Sequence, residues 1–316
     1  PDTMPSGGAL PLATDPHASA PPATLGDGPP PAGRWANAAL VAFGVLTGLA
    51  IAGFAVFARH PELLAGRPRA MRVYAVSFTF FPRAHIVIGA LALAVLLVSR
   101  TWWRWVPAFV SVYALSLSSE MLGTTHGLPF GPYRSPHGLG LKWFAHVPAL
   151  IPLSWFLMAL PSYAIARRLL GDRASTARHV LLGSLILLSW DLALDPAMSR
   201  FTSYWVWGSS GPYYGMPWLN LAGWYVTGVV LMLALVVVRS DAWIGRLSDR
   251  WLGWFYALNL ALPLGLVLAT GGWGALAATI TSLASCGVVG RGVRLHARPL
   301  EARLNADSTS RRVAAR

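Results

Sequence analysis

Three carboxylates stand out by their position. Glu120, Asp191 and Asp195 are the only ones among twelve Asp and Glu residues that fall inside long apolar runs; the other nine lie in tails or loops. A charge at the centre of a bilayer costs at least about 2.5–3.5 kcal/mol on insertion scales, so such residues usually face the bundle interior and mark function. Asp191 and Asp195 are four apart and share one side of a helix. Pro196 disfavours further helix just beyond them. Burial disfavours the charged form of a carboxyl, and a second carboxyl at i+4 adds repulsion. At least one of the three is therefore expected to hold a proton at neutral pH. A neutral acid beside an ionised one is a donor–acceptor pair for general acid/base chemistry. The plainer reading is polar glue between helices. It loses weight because all three acids gather beneath two unusual loops.

Those loops are residues 122–145 and 197–218. Both are longer than a helix connection needs and rich in Gly, Pro and aromatics. Long loops of this kind are usually functional. Each carries Gly-Pro-Tyr, at Gly131-Pro132-Tyr133 and Gly211-Pro212-Tyr213, and each leads to a proline before the next span, Pro148 and Pro217. Tyr204, Trp205, Trp207, Tyr213, Tyr214 and Trp218 are either interfacial anchors or a wall whose ring faces stabilise a dehydrated cation and pack flat against a polyene. His126, His137 and His146 lie in or beside the first loop, but their spacings of 11 and 9 match no zinc signature. No metal is assigned.

Apolar runs must position these residues. They cover approximately 35–58, 84–99, 105–121, 146–166, 177–196, 219–239, 251–270 and 272–290. A spanning helix needs about 20 such residues. The second run is short, preceded by Pro82-Arg83 and by an aromatic stretch, Tyr74 to Phe81. Only Gly271 separates the last two, which implies a tight hairpin or one broken helix. The expected fold is all-α: a polytopic transmembrane bundle of seven or eight spans with both long loops on one face. Odd-numbered spans run the same way, so the three acids reach that face together. Trp102, Trp103, Trp105, Trp143, Trp218, Trp251 and Trp254 flank runs as interfacial anchors do.

Composition agrees. The chain is 55% hydrophobic and only 12% charged, against about a quarter charged in soluble domains. The net charge is +13, with every basic side chain but Lys142 an arginine. The arginines sit at run ends and in the tails, so a nucleic-acid partner is rejected in favour of membrane lipid. In an eight-span arrangement the side with both tails holds 17 basic residues and the other holds eight. That places both termini in the cytoplasm, at the cytoplasmic membrane of a bacterium, although five arginines in 59–83 pull the other way. Residues 1–34 read as a disordered tail without signal-peptide features, 35–290 as the transmembrane domain and 291–316 as a basic tail. Cys286 stands alone inside an apolar run.

The motifs resemble the membrane-integral carotenoid biosynthesis family. The resemblance rests on Glu120 with Gly123, Gly127-Leu128-Pro129-Phe130-Gly131-Pro132-Tyr133, Leu139-Gly140 and Val147-Pro148. It continues with Asp191, Asp195-Pro196, Trp205-Val206-Trp207, the run Gly211 to Pro217, Asn220 and Gly223-Trp224, and covers roughly residues 110–235. Members include carotenoid 1,2-hydratases of monocyclic-carotenoid and bacterioruberin pathways. The resemblance implies addition of water to the terminal double bond of an acyclic end group, with no organic cofactor and no redox step. It also implies a substrate of the lycopene or γ-carotene type and other enzymes of that pathway as partners. On that footing Asp191 or Asp195 is the general acid, with Glu120 the base or water-orienting group. Trp205, Trp207, Tyr213 and Tyr214 would line the end-group pocket, while Tyr133 and Asn220 hydrogen-bond the water or the acids. Two other readings stand beside it. A membrane prenyltransferase or lycopene elongase would use Asp191 and Asp195 as half of a diphosphate site, yet no second Asp-rich motif exists. A non-enzymatic proton-coupled transporter or pigment scaffold would use the acids as a relay, yet no chain of them crosses the membrane.

Overall fold

The computed structural model describes residues 33–135 and 139–314. Residues 1–32 of the expected N-terminal tail lie outside that range, and so does His137. The helices are α1 (Arg34–Arg59), α2 (Pro68–Thr101), α3 (Val106–His126), α4 (Leu150–Leu170), α5 (Thr176–Asp195), α6 (Trp218–Val237), the short α7 (Asp241–Ile244), α8 (Asp249–Ala269) and α9 (Trp273–Ala314). Four two-residue strands sit in or just beside the long loops: β1 (Tyr133–Arg134), β2 (Lys142–Trp143), β3 (Val147–Pro148) and β4 (Val206–Trp207). All but α7 of these helices are long and apolar enough to cross a membrane, which makes eight spans. The protein is an all-α polytopic membrane bundle.

Burial sorts the helices. The apolar windows of α4 and α5 are 67% and 72% buried, against 17% in α1 and 22% in α9. The first pair forms the centre and the second the rim. Rim side chains such as Val41, Leu91, Val226 and Val288 point outward, where lipid covers them. Trp102, Trp103, Trp143, Trp218 and Trp254 are exposed, as anchors should be. Trp251 is a correction. It is buried against Phe255 and donates from Nε1 to the Ala36 carbonyl at 3.1 Å, so it ties α8 to α1.

Local chemistry explains where the helices end. Gly127 closes α3 in the left-handed region at φ 73°, the usual C-terminal stop. Gly271-Gly272 turn the chain between α8 and α9, with the Gly272 N–H donating to the Val267 carbonyl at 2.7 Å, so the last two spans form a tight hairpin. The second run is longer than its apolar core. Tyr74 to Phe81 extend it into the 34-residue α2, with Pro82 inside.

A proline inside a helix leaves the carbonyl four residues back without its donor, and neighbouring groups must satisfy it in lipid. Three prolines show how. Pro82 frees Phe78, whose carbonyl accepts from the Tyr204 hydroxyl. Pro196 frees Leu192, whose carbonyl accepts from the Tyr213 hydroxyl at 2.7 Å. Pro263 frees Asn259, whose carbonyl accepts from Trp190 Nε1 at 3.3 Å. Each bond crosses from one element to another, so the breaks in the helices become fasteners.

At the end of the bundle away from the long loops, acids pair with arginines. Arg167 meets Asp172 at 2.9 Å and Asp241 at 2.5 Å, and Arg168 meets Asp249 at 3.1 Å. These acids clasp helix ends, and Glu62 pairs with His60; among the described residues Glu120, Asp191 and Asp195 form no ion pair.

Candidate active site

The two long loops meet. β1 and β4 pair antiparallel, with Tyr133 opposite Trp207 and Arg134 opposite Val206. The Gly208 N–H adds a bond to the Pro132 carbonyl at 2.7 Å. Ser135 Oγ donates to the Tyr204 carbonyl at 3.2 Å, and Lys142 Nζ donates to the Ser135 carbonyl at 2.5 Å. Lys142 thus braces, within the first loop, the residue that reaches the second.

Two motif glycines permit this closure. A Cβ on Gly223 of α6 would lie 2.5 Å from the Pro129 carbonyl oxygen, so the first loop rests directly on α6. A Cβ on Gly211 would lie 2.0 Å from the Met216 carbonyl oxygen, where the second loop folds back on itself. Both approaches are closer than any side chain allows.

Beneath the loops the acids are buried: Glu120 is 5% exposed, Asp195 2% and Asp191 0%. Glu120 accepts from the Tyr133 hydroxyl at Oε2 and from Trp155 Nε1 at Oε1, the latter at 2.8 Å. An indole N–H can only donate, so Oε1 is held as an acceptor. Asp195 accepts at Oδ2 from Asn220 Nδ2, which also contacts Met216 Sδ at 2.8 Å. Asp191 lies one turn behind, close enough to interact with Asp195 electrostatically. Neither of its oxygens finds a hydrogen-bond partner among the described residues. Burial pushes the Tyr133 phenol well above its ordinary value, with Glu120 and then Asp195 adding to the push. It therefore remains a donor to Glu120.

Glu120, Asp195, Asn220, Tyr133, Trp205 and Trp207 all line one cavity of about 860 Å³, part of it open to the surroundings. Two buried polar atoms of this group, Asn220 Oδ1 and Trp207 Nε1, have no partner among the described residues. They are an acceptor and a donor available to a small polar guest. The remaining sequence candidates stand elsewhere. Asp191 supports the wall from behind. Tyr213 fastens Pro196, as described above. The Tyr214 hydroxyl accepts from the Ala275 N–H at 3.0 Å and so caps α9.

Much of the cavity wall comes from residues outside the expected set of site residues. Trp155 and Trp224 stack with centroids 3.9 Å apart, and Trp190 meets Trp224 edge-on at 5.8 Å. Phe130 closes on both members of the stack. His85 and Asn259 add polar atoms at the far wall, and His85 Nδ1 lies 3.2 Å from Thr47 Oγ1. One signal could have found two of the tryptophans: Trp190 adjoins Asp191 on α5, and Trp224 lies one turn from Asn220 on α6. Trp155 has no motif residue on α4. His126 and His146 are exposed, and the described residues contain no cluster of three or more His, Cys, Asp or Glu able to hold a metal ion.

The arrangement is a greasy, aromatic slot with two carboxyls on its wall. It can move a proton to and from an apolar guest, and its ring faces can shield positive charge.

Comparison with known proteins finds similarity to proteins of carotenoid biosynthesis. The model of a family described as carotenoid biosynthesis protein matches residues 81–286, a stretch containing all three acids and both loops. A bisanhydrobacterioruberin hydratase of Haloarcula japonica is 33% identical over 174 residues, 54% of this chain and 56% of that protein. The chain thus spans about half the length of this curated relative. No solved structure matches significantly.

Proposed function

The chain belongs to the carotenoid biosynthesis protein family, and from that premise we propose that it is a carotenoid 1,2-hydratase, adding water to the terminal double bond of an acyclic end group. The observation that carries the reading is that Glu120 and Asp195 line the same aromatic cavity, each held by its own hydrogen-bond donors.

In this mechanism Asp195 starts with its proton and delivers it to C2 of the trisubstituted alkene. The π electrons form the new C–H bond and leave a tertiary cation at C1. The faces of Trp155, Trp207 and Trp224 shield that cation, since an aromatic quadrupole attracts positive charge more strongly where water is absent. A water molecule held by Asn220 Oδ1 and Glu120 attacks C1, and Glu120 takes the proton it releases. The product is a tertiary alcohol. The proton gained by Glu120 returns to Asp195 through the polar atoms of the site, so no net proton and no electron is consumed. Asp191 acts through Asp195 as a positioning residue.

The substrate in this reading is of the lycopene or γ-carotene type, drawn from membrane lipid. The excess of basic residues on the side of the tails favours cytoplasmic termini. The deciding experiment is expression in cells that make lycopene or γ-carotene, followed by pigment analysis. The 1-hydroxy carotenoid should form with the natural chain and be lost with Asp195→Asn and with Glu120→Gln. Undiminished product from both variants would overturn the assignment.

A further inference from the structure

A second cavity of about 650 Å³ lies between α1, α2 and the second loop. It shares three wall residues, Pro82, Met198 and Leu262, with the cavity that holds the acids. The two spaces therefore adjoin across a collar formed by these three residues. The wall of the second is apolar and aromatic, with the stacked pair Phe78 and Tyr204 on one side, ring centroids 5.0 Å apart and 8° from parallel. Its mouth is at Val73, which is 67% exposed on the rim of the bundle. From Val73 to His85, in the first cavity, α2 rises about 18 Å.

We infer that the two cavities form one channel, in which the α1–α2 cleft binds the polyene adjoining the end group and admits it sideways from the lipid leaflet on the side of the long loops. The inference rests on the hydratase reading for the identity of its ligand, a long acyclic polyene. A carotenoid is far longer than its end group, so a site that takes the end group to Glu120 and Asp195 must let the rest of the chain out. The cleft is the adjoining space that leads to a lipid-facing residue. Flat rings suit a flat conjugated chain. Met198 is unbranched and adaptable, which suits a collar through which a stiff chain must slide.

Two glycines of α1 make the test clean. Gly53 lines the cleft, Gly48 faces outward on the same helix, and a Cβ at either meets nothing within 4 Å. Gly53→Trp fills the cleft, Gly48→Trp leaves it open, and Val73→Trp blocks the mouth from the surface. The protein is reconstituted in lipid nanodiscs with lycopene as probe. Retained lycopene per protein and its conversion are then measured. Gly53→Trp and Val73→Trp should lower retention roughly tenfold, in line with the usual cost of overfilling a packed site. Gly48→Trp should match the natural chain. A folded Gly53→Trp that retains lycopene as Gly48→Trp does would sink the channel. If Gly53→Trp does not fold, Val73→Trp decides by the same comparison. Natural protein that retains no lycopene also overturns it. The hydratase reading is judged separately: natural protein that retains lycopene through the cleft without forming the alcohol leaves the channel standing and removes the reaction.

Discussion

The Tyr204 hydroxyl donates to the Phe78 carbonyl, the acceptor that Pro82 leaves without a helical donor. The bond ties the second long loop to the middle of α2, on the wall of the second cavity. Removing the hydroxyl strands a carbonyl in a site without water, which costs about 1–3 kcal/mol. Tyr204→Phe should lower thermal stability in detergent accordingly. Pro82→Ala restores an N–H opposite Phe78, so the double variant should lose less than the sum of the two single variants. Additive losses would show that the bond does not matter.

Asp195→Asn and Glu120→Gln should each reduce hydration at least about 100-fold, the range for loss of a general acid or base. Asp191 does not line the cavity, so Asp191→Asn should keep clearly more activity than either. Single-turnover assays on lycopene, with protein folding checked in parallel, separate the three. Equal loss in all three variants would place Asp191 in direct contact with the reacting end group.

The Tyr133 phenol is held well above its ordinary value, chiefly by burial. A raised phenol keeps its proton as pH climbs, so the bond to Glu120 persists through the usual titration range near pH 10. The rate should therefore show no alkaline limb from Tyr133 below about pH 10. Tyr133→Phe should cut the rate roughly tenfold or more, the worth of a hydrogen bond to a charged group. A limb at lower pH that disappears in Tyr133→Phe would contradict this.

Gly223→Ala drives a methyl toward the Pro129 carbonyl. Overpacking of this kind costs about 1–3 kcal/mol. Because α6 also carries Asn220, activity should fall along with the melting temperature. Gly48→Ala, which meets open space, should change neither.

The acids were legible in the sequence because charge inside an apolar run has no cheap explanation. The loops were legible because Gly, Pro and aromatics were dense there. The rest of the site was hidden for physical reasons. Trp155 and Trp190 sit in apolar helices, where an aromatic reads as core; Trp224 stood in the Gly223-Trp224 motif, but that motif does not say that its ring faces a cavity. His85 was hidden because it stands alone in the second apolar run, and nothing local says that it faces a cavity. Tyr213 and Tyr214 illustrate the opposite case. Their company suggested a substrate wall, but their hydroxyls bind a freed carbonyl and a helix start. Trp251 looked like an anchor by its place at a run end, and only packing shows that it points inward.

The pairing of Tyr133 with Trp207 has a consequence for biogenesis. A ribosome releases the first loop long before the second. Glu120 thus enters the bilayer with Tyr133 beside it, but the lid over both depends on chain not yet made. Asp195 waits likewise for Asn220, on the following helix. Until α6 is made, Asp195 lacks its Asn220 donor, and the cavity lacks the wall that Asn220 and Trp224 supply. The pocket gains its full wall only when the later half of the polypeptide closes over the earlier one.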